Sequence, residues 1–317
     1  GYQYTYIFPN TSRAPGTQAI YLEWFWDRCK RTKAMPIMSY YGLLRLAESV
    51  HIGGSEIDKV VAVCKRPDAM RIYLEETIRL LRLVNQCPMP CIFHVEPDSW
   101  AFLEWHGSND TNDANQVVVM VQSTGIPELK DFPDTAAGFG KALLHLRDLH
   151  APNVYMGFHA KDCRVATQAE KTAGFIKACG QWDILLGDGV GHLYDSRGDG
   201  WWNTFSESRF QAYQRWYGTL TRELRLPYIH WQSIVGKADV TFLQGYPADG
   251  RLQAYARMGA VGICFDIRGD PRTATQLSDP NHGYTAKPPT GSPFEVSLSA
   301  LIRRLSAYSK NPIPHAW

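Results

Sequence analysis

Short apolar runs alternate with longer amphipathic segments along most of this chain. The clearest amphipathic segment is 68–85, where apolar side chains recur at helical spacing, including Met70, Tyr73 and Leu81. The clearest apolar run is 91–96, which is short, rich in β-formers and followed by a proline. Because strand and helix patterns follow each other repeatedly, the sequence favours a parallel sheet covered by helices.

The apolar runs predict the strands, and polar or capping residues mark the starts of several helices. The predicted strands are 4–8, 36–41, 91–96, 154–159, 183–188, 228–232 and 261–266, with a further short candidate at 240–243. Helices are predicted at 68–85 and 134–150, and after the capping patterns that begin at Thr167, Thr204 and Ser292.

These elements predict an α/β fold, a TIM-like (β/α) barrel with seven or eight parallel strands. The 317 residues contain no internal repeat or linker, so residues 1–317 are interpreted as a single barrel domain. A doubly wound open sheet is the alternative, but no glycine-rich dinucleotide loop follows the first predicted strand.

Composition excludes several classes of partner. The net charge is +2 without a long basic run, so we expect no nucleic acid and no membrane surface as partner. No apolar stretch is long enough to span a bilayer. The chain begins at Gly1 rather than methionine, so we interpret it as a mature or trimmed chain. We expect it to be secreted or periplasmic. No obligate protein partner is evident.

The cysteines predict neither a metal site nor a full disulfide framework. Their number is seven, which is odd, and no CxxC pair occurs, although one or two bridges stay open. A mixed site of His94, His159, Asp188 and His192 lacks the HExxH type of spacing. We therefore expect no metal and no cofactor. A serine hydrolase is disfavoured because Gly-x-Ser-x-Gly is absent.

The segment 91–100 carries the most informative chemistry. Alternation places His94 and Glu96 on one face of the strand, and Pro97 is expected to end it with Glu96 extended. Glu96 and Asp98 would then lie together at the carboxyl end of a strand. Two carboxylates beside aromatic rings suit the cleavage of glycosidic bonds.

Other predicted strands also end in polar side chains. In a (β/α) barrel the active site forms at the carboxyl ends of the strands, so these side chains are expected at one mouth. A single aspartate after a strand is also a common helix cap, but a whole series is harder to explain in that way. The series is Tyr40, Glu96 with Asp98, His159, Asp188, Gln232 and Asp266.

Aromatic side chains close to these strand ends are candidates for stacking on sugar rings. Trp100 and Trp105 follow the two carboxylates, and Trp201 and Trp202 belong to a long glycine-rich loop that also contains His192. That loop is either a subsite wall or a surface loop with its indoles tucked in. Trp231 is open between ligand contact and packing.

Two motifs carry a resemblance to known proteins. Val95-Glu96-Pro97-Asp98-Ser99 resembles the Glu-Pro-Asp-Ser strand end of glycoside hydrolase family 6, inverting cellulases with a distorted seven-stranded barrel. The resemblance implies that Asp98 is the general acid. The segment 186–192 is similar to that family's Asp-Ala-Gly-His segment, which implies a cleft position for Asp188. The segment 38–42 departs from the family because it lacks a carboxylate.

The motif His-Val-Glu-Pro-Asp-x-Trp, which begins at His94, is also similar to uncharacterised bacterial secreted barrel proteins. That resemblance implies polysaccharide processing.

The resulting hypothesis is a glycoside hydrolase that cleaves a polysaccharide or oligosaccharide, such as a β-glucan. Asp98 would be the acid, with its pKa raised by Glu96, and Asp188 or Asp266 would be its partner. Tyr40, His159 and Gln232 would bind sugar hydroxyls. The alternatives are a barrel that binds carbohydrate without cleaving it, and a metal-dependent hydrolase.

Overall fold

A computed structural model describes residues 1–9, 17–107, 112–161, 168–188, 207–234 and 251–266. Their contacts divide them into two compact units. The first unit comprises the described residues of Gly1–Lys161, Gln168–Leu186 and Glu223–Leu226. The second contains the other described residues from Gly187 onward.

Parallel strands form the centre of each unit. The first unit contains β1 (Tyr2–Ile7), β2 (Met35–Tyr40), β3 (Cys91–Val95) and β4 (Val154–His159), together with the start of β5 (Ile184–Asp188). Each pairs in parallel with the next one along the chain. In the second unit β6 (Tyr228–Ile234) pairs in parallel with β7 (Ala260–Asp266). These strands match the predicted ones within two residues at each end.

Helices occupy the segments between the strands. Those around the predicted helices 68–85 and 134–150 are confirmed, whereas the first three helices and the one directly after β3 had no sequence prediction. In chain order they are α1 (Thr17–Thr32), α2 (Leu43–Ser49), α3 (Glu56–Cys64), α4 (Pro67–Val84), α5 (Ser99–Gly107), α6 (Ala136–His150), α7 (Ala169–Ala178), α8 (Glu207–Leu224) and α9 (Arg251–Arg257).

Local sequence explains several helix starts. The side chains of Ser55 and Asp58 form a capping box at the start of α3, and Pro67 is the first residue of α4. Helix α7 begins after Gln168, whose side chain makes no capping hydrogen bond. Thr167 and Thr204, the strand predicted at 240–243 and the helix predicted after Ser292 all lie outside the described residues.

Strand alternation sorts the side chains of the first unit into two faces. Tyr40, Phe93 and Phe158 belong to the face that packs against α4 and α5. Ser39, His94 and His159 belong to the opposite face and contact one another. The strands therefore present large apolar side chains to the helices and polar side chains on the opposite face of the sheet.

No helix in the described part of the chain combines the length and apolarity needed to cross a membrane. The six cysteines that the structure describes are free thiols.

Candidate functional site

Three polar side chains from neighbouring strands form a buried hydrogen-bonded row in the first unit. Ser39 Oγ lies 2.9 Å from His94 Nδ1, and His94 Nε2 lies 3.0 Å from His159 Nδ1. All three side chains are at most 1% exposed. The bond between the rings needs an N–H on one imidazole and a lone pair on the other. This row therefore fixes the relative orientation of β2, β3 and β4.

The turn after β3 has an unusual backbone. Glu96 and Asp98 both have positive φ, +51° and +73°, in the left-handed region that non-glycine residues rarely occupy. The prediction that Pro97 keeps Glu96 extended is therefore wrong. Strain of this kind costs about 1–3 kcal/mol per residue and persists only where surrounding contacts hold it.

The contacts of Glu96 stabilise this left-handed backbone conformation. Its carboxylate accepts hydrogen bonds from the backbone N–H of Gly42 at 2.7 Å and of Leu43 at 3.1 Å, where α2 begins. The hydroxyl of Ser99 donates to the other carboxylate oxygen at 2.9 Å. The N–H of Glu96 also donates to the carbonyl oxygen of Tyr40 at 2.8 Å.

Glu96 is consequently a buried structural acceptor. It is 0% exposed, and burial raises its pKa to about 7, against the opposing effect of its hydrogen bonds. The prediction that Glu96 shares the mouth of the barrel with Asp98 is wrong, because the left-handed turn directs its carboxylate towards the start of α2.

Asp98 meets two other groups. Its Oδ1 lies 2.5 Å from the Nζ of Lys161, and the hydroxyl of Tyr41 donates to its Oδ2 at 3.3 Å. The side chains of Asp98 and Lys161 are 24% and 19% exposed. Tyr41, Asp98 and Lys161 follow β2, β3 and β4, so this cluster lies at three adjacent strand ends, and we call it the strand-end cluster.

Sequence reasoning missed Tyr41 and Lys161. Tyr41 is the last residue of the predicted strand 36–41, and that position was the available signal, whereas Lys161 lies two residues beyond the predicted strand 154–159. Burial, followed by the charge of Asp98, raises the pKa of Tyr41 far above its ordinary value, so its phenol stays a donor.

Two predicted sugar contacts are wrong because their side chains pack against helices. Trp100 is 1% exposed, donates its indole N–H to the Val95 carbonyl at 3.1 Å, and stacks on Phe158. Tyr40 is fully buried and stacks on Tyr73 of α4. Alternation along β2 places Tyr40 on the helix-facing side, and Trp100 is a residue of α5 that packs onto that face of the strands at Phe158.

Other predicted contacts are also enclosed. His159 belongs to the buried row rather than to an exposed surface, so its predicted role as an open sugar contact is wrong. Trp231 in the second unit is 3% exposed, so its ring packs in the interior and is not open for contact with a ligand. Trp105 is half-buried beside Phe102 and stays a candidate.

In the second unit, His230 lies at the centre of a buried group of tyrosines. Its Nδ1 is 3.0 Å from the hydroxyls of both Tyr213 and Tyr228. The Tyr228 hydroxyl also donates to the carbonyl oxygen of Gly187 at 3.4 Å. This group ties β6 to the end of β5, directly before Asp188.

The remaining predicted residues are only partly described. Asp188 and Asp266 are the last residues of β5 and β7, as strand-end candidates should be, but their side chains lie outside the described part. The side chain of Gln232 is outside it too, as are His192, Trp201 and Trp202. Within the described residues, no group of three or more His, Cys, Asp or Glu side chains is arranged to hold a metal ion.

Comparison with solved structures identifies the fold. A family 26 β-mannanase from Bacteroides ovatus matches with a TM-score of 0.54 and 13% identity, over 95% of this chain and 78% of that one. Thermotoga maritima Cel5A, solved with cellobiose, matches with a TM-score of 0.52 and 7% identity, over 95% and 85% of the two chains. The fold is a (β/α) barrel.

A modular endo-β-1,4-mannanase from Cellulomonas fimi also matches, with a TM-score of 0.53 and 12% identity. The match covers 98% of this chain but only 63% of the mannanase, so the chain spans less than two thirds of that protein. No family model matches the chain, and no curated protein does.

These comparisons correct the resemblance to glycoside hydrolase family 6. The matching barrels named above include two mannanases of family 26, and nothing found supports family 6. The Glu-Pro-Asp-Ser motif is a short local likeness. In this chain its glutamate is a buried cap of α2, so the motif alone was a poor guide to kinship.

Proposed function

We propose that this protein is a glycoside hydrolase that acts on a polysaccharide or oligosaccharide. The observation that carries the proposal is the strand-end cluster, in which a partly exposed carboxylate lies beside an ammonium and a phenol. In (β/α) barrel enzymes the chemistry takes place at this end of the strands. The matching barrels named above include β-mannanases, which supports a carbohydrate substrate.

The contacts of Asp98 favour a particular role. A carboxylate paired with Lys161 and accepting a hydrogen bond from Tyr41 is suited to act as a base or nucleophile. We therefore assign Asp98 this role rather than that of the general acid. The partner carboxylate predicted from the sequence, Asp188 or Asp266, stays a prediction, because both side chains lie outside the described part.

Two neighbouring groups would assist Asp98. The Lys161 ammonium can donate to a sugar hydroxyl as well as to the carboxylate, and the Tyr41 hydroxyl, which donates to Asp98, can accept a hydrogen bond from a sugar hydroxyl. Trp105 is the remaining described candidate for stacking. A polysaccharide substrate is consistent with a secreted or periplasmic location, since such a polymer is found outside the cytoplasmic membrane.

Substitution of Asp98 by Asn tests the proposal. The isosteric amide cannot accept a proton or attack, so release of reducing ends from mannan and β-glucan should fall by about 10²-fold or more. Asp27→Asn is the matched control, because Asp27 is an exposed residue of α1 that pairs with nearby Arg31. Parental activity in Asp98→Asn with unchanged thermal unfolding would contradict the proposal.

A second candidate is a barrel that binds carbohydrate without cleaving it. It is favoured by the strand-end cluster itself, which contains one carboxylate, whereas hydrolysis of glycosides commonly needs two. Isothermal calorimetry with oligosaccharides separates the two functions when it is combined with a reducing-end assay. A binder gives heat of binding and never releases reducing ends.

A further inference from the structure

Two thiols meet where the chain passes from α4 into β3. Cys87 follows the end of α4 and donates its N–H to the carbonyl oxygen of Val84 at 2.9 Å. Cys91 is the first residue of β3 and pairs with Val154 of β4. Regular structure therefore holds both ends of this short segment. Asp98 follows the opposite end of β3, so the thiol pair is separate from the strand-end cluster.

The backbone between the two thiols is bent rather than extended. Four extended residues would span about 13–14 Å, whereas a disulfide needs Cα atoms about 4–7 Å apart. The chain bends at Pro88 and Met89, and the thiols of Cys87 and Cys91 make a hydrogen-bonding contact. Pro88 and Pro90 have fixed φ angles, which restricts the bend to few conformations. The local chain alone thus brings the two sulfurs together.

One thiol of the pair is accessible and the other is enclosed. Cys87 is half-buried in a loop whose two prolines are exposed, whereas Cys91 is 1% exposed. The hydrogen bond with Cys91 lowers the pKa of Cys87, and the same contact, followed by burial, raises the pKa of Cys91. Cys87 is therefore the thiol that reaches an oxidant as a thiolate, and Cys91 is the neighbour positioned to complete a disulfide.

A third thiol lies near Cys87 but is less suited to pair with it. Cys29 of α1 is fully buried, and its Sγ lies 4.0 Å from Oε1 of Gln3. Burial raises the pKa of Cys29 to about 11, and Cys87 affects it through charge rather than through a hydrogen bond. Among the described thiols, direct contact therefore favours Cys91 as the partner of Cys87.

We propose that Cys87 and Cys91 are a redox-active pair that closes to a disulfide by exchange with an external disulfide of the glutathione class. The Cys87 thiolate attacks one sulfur of oxidised glutathione and releases one glutathione thiolate. Cys91 then loses its proton to solvent, attacks the Cys87 sulfur and releases the second glutathione thiolate. Two protein thiols are oxidised, and one glutathione disulfide is reduced to two thiols.

The bond ties the end of α4 to the start of β3. Thiol oxidation of this kind belongs to an oxidising compartment, which agrees with the proposed secreted or periplasmic location.

The experiment treats the full chain with oxidised glutathione, quenches exchange with acid, unfolds the protein in urea and blocks the remaining thiols with N-ethylmaleimide. Trypsin then releases both cysteines in one peptide, 83–130. We expect this peptide to be lighter than its dithiol form by two hydrogen atoms and to take up no maleimide. Dithiothreitol should restore both thiols.

Three variants separate the roles of the two thiols. Cys91→Ala should trap glutathione on Cys87 as a mixed disulfide, because the second thiol is gone. Cys87→Ser should leave Cys91 free, because the buried thiol does not reach the oxidant. Cys64→Ala is the matched control, since Cys64 is a buried thiol of α3 outside the pair, and peptide 83–130 should be oxidised in it as in the parent.

Three results would overturn the proposal. They are maleimide on both cysteines of peptide 83–130 after oxidation, a bond between Cys87 and Cys29, and glutathione that stays on Cys87 in the parent. Asp98→Asn should form the bond as the parent does, so the outcome of the hydrolase assay has no bearing on this test.

Discussion

The carboxylate of Asp98 pairs with the ammonium of Lys161, a residue 63 positions away along the chain, at a distance of 2.5 Å. Asp98 has turned away from Glu96, its neighbour two positions earlier, which binds the start of α2 instead. The two carboxylates of this short motif therefore have different roles. One is a buried cap, and the other is the accessible carboxylate of the strand-end cluster.

Replacement of Lys161 by Met should lower hydrolytic activity at least tenfold while changing stability by about 1 kcal/mol or less, because a partly exposed ion pair stabilises little. Lys161→Arg should recover part of the activity, since the charge is kept. Activity assays and thermal unfolding of the three proteins check this. Lys177→Met, which breaks an exposed pair with Glu223, is the control and should match the parent.

Stability should fall as pH rises through the range set by Glu96. Its pKa is about 7 in the folded chain and near 4.5 otherwise, so the folded state holds one more proton between these values. The stabilisation is complete below about pH 4.5 and decreases by up to about 1.4 kcal/mol per pH unit until pH 7. Denaturant unfolding at several pH values measures this slope.

Glu96→Gln should remove that slope, because the amide oxygen still accepts from Gly42 and Leu43 but no longer titrates. Above pH 7 the variant should be the more stable protein. Glu48→Gln, on the exposed side of α2, should leave the slope in place. An identical pH profile for Glu96→Gln and the parent would show that Glu96 does not control it.

Breaking the buried row of Ser39, His94 and His159 should destabilise the protein, even by a substitution that leaves no large cavity. Ser39→Ala removes the hydroxyl that lies 2.9 Å from His94 Nδ1 and should destabilise the protein by about 1–3 kcal/mol. Ser49→Ala is the control, as Ser49 bonds to the Leu46 carbonyl at the end of α2, where water can replace it. Equal midpoints in urea for the two variants would count against the row.

Replacing either of two helical glycines by alanine should change the stability of the protein, in opposite directions at the two positions. At Gly140 of α6 the new Cβ would lie 2.4 Å from the carbonyl oxygen of Cys179, so Gly140→Ala should destabilise by about 1–3 kcal/mol. At Gly174 of α7 nothing lies within 4 Å, so Gly174→Ala should stabilise by up to about 1 kcal/mol through helix propensity.

Helix propensity is shared by the two glycine variants, so their difference isolates the close approach of α6 to the end of α7. Urea unfolding of both proteins measures it. A Gly140→Ala variant as stable as Gly174→Ala would contradict the packing described here.

The strands were predictable because their signals are local. Apolar runs such as 91–95 and 154–159 are strands in the structure with nearly the predicted bounds, and alternation sorted Phe93 from His94 correctly. Helices α1 and α2 were missed, since a short or heavily polar segment gives a weak periodic pattern. The position of Asp98 near a strand end made it a candidate, and its side chain is partly exposed in the structure. The sequence did not indicate that Lys161 would pair with it.

The sequence by itself determined the (β/α) order of elements and the strand ends at which polar side chains collect, since period-two alternation and proline act within a few residues. Only the tertiary structure decided which polar groups meet. Glu96 binds N–H groups more than fifty positions earlier, and these bonds hold a left-handed turn that local preference disfavours. The same turn places Asp98 against Lys161, because strands distant in the chain are neighbours in a parallel sheet.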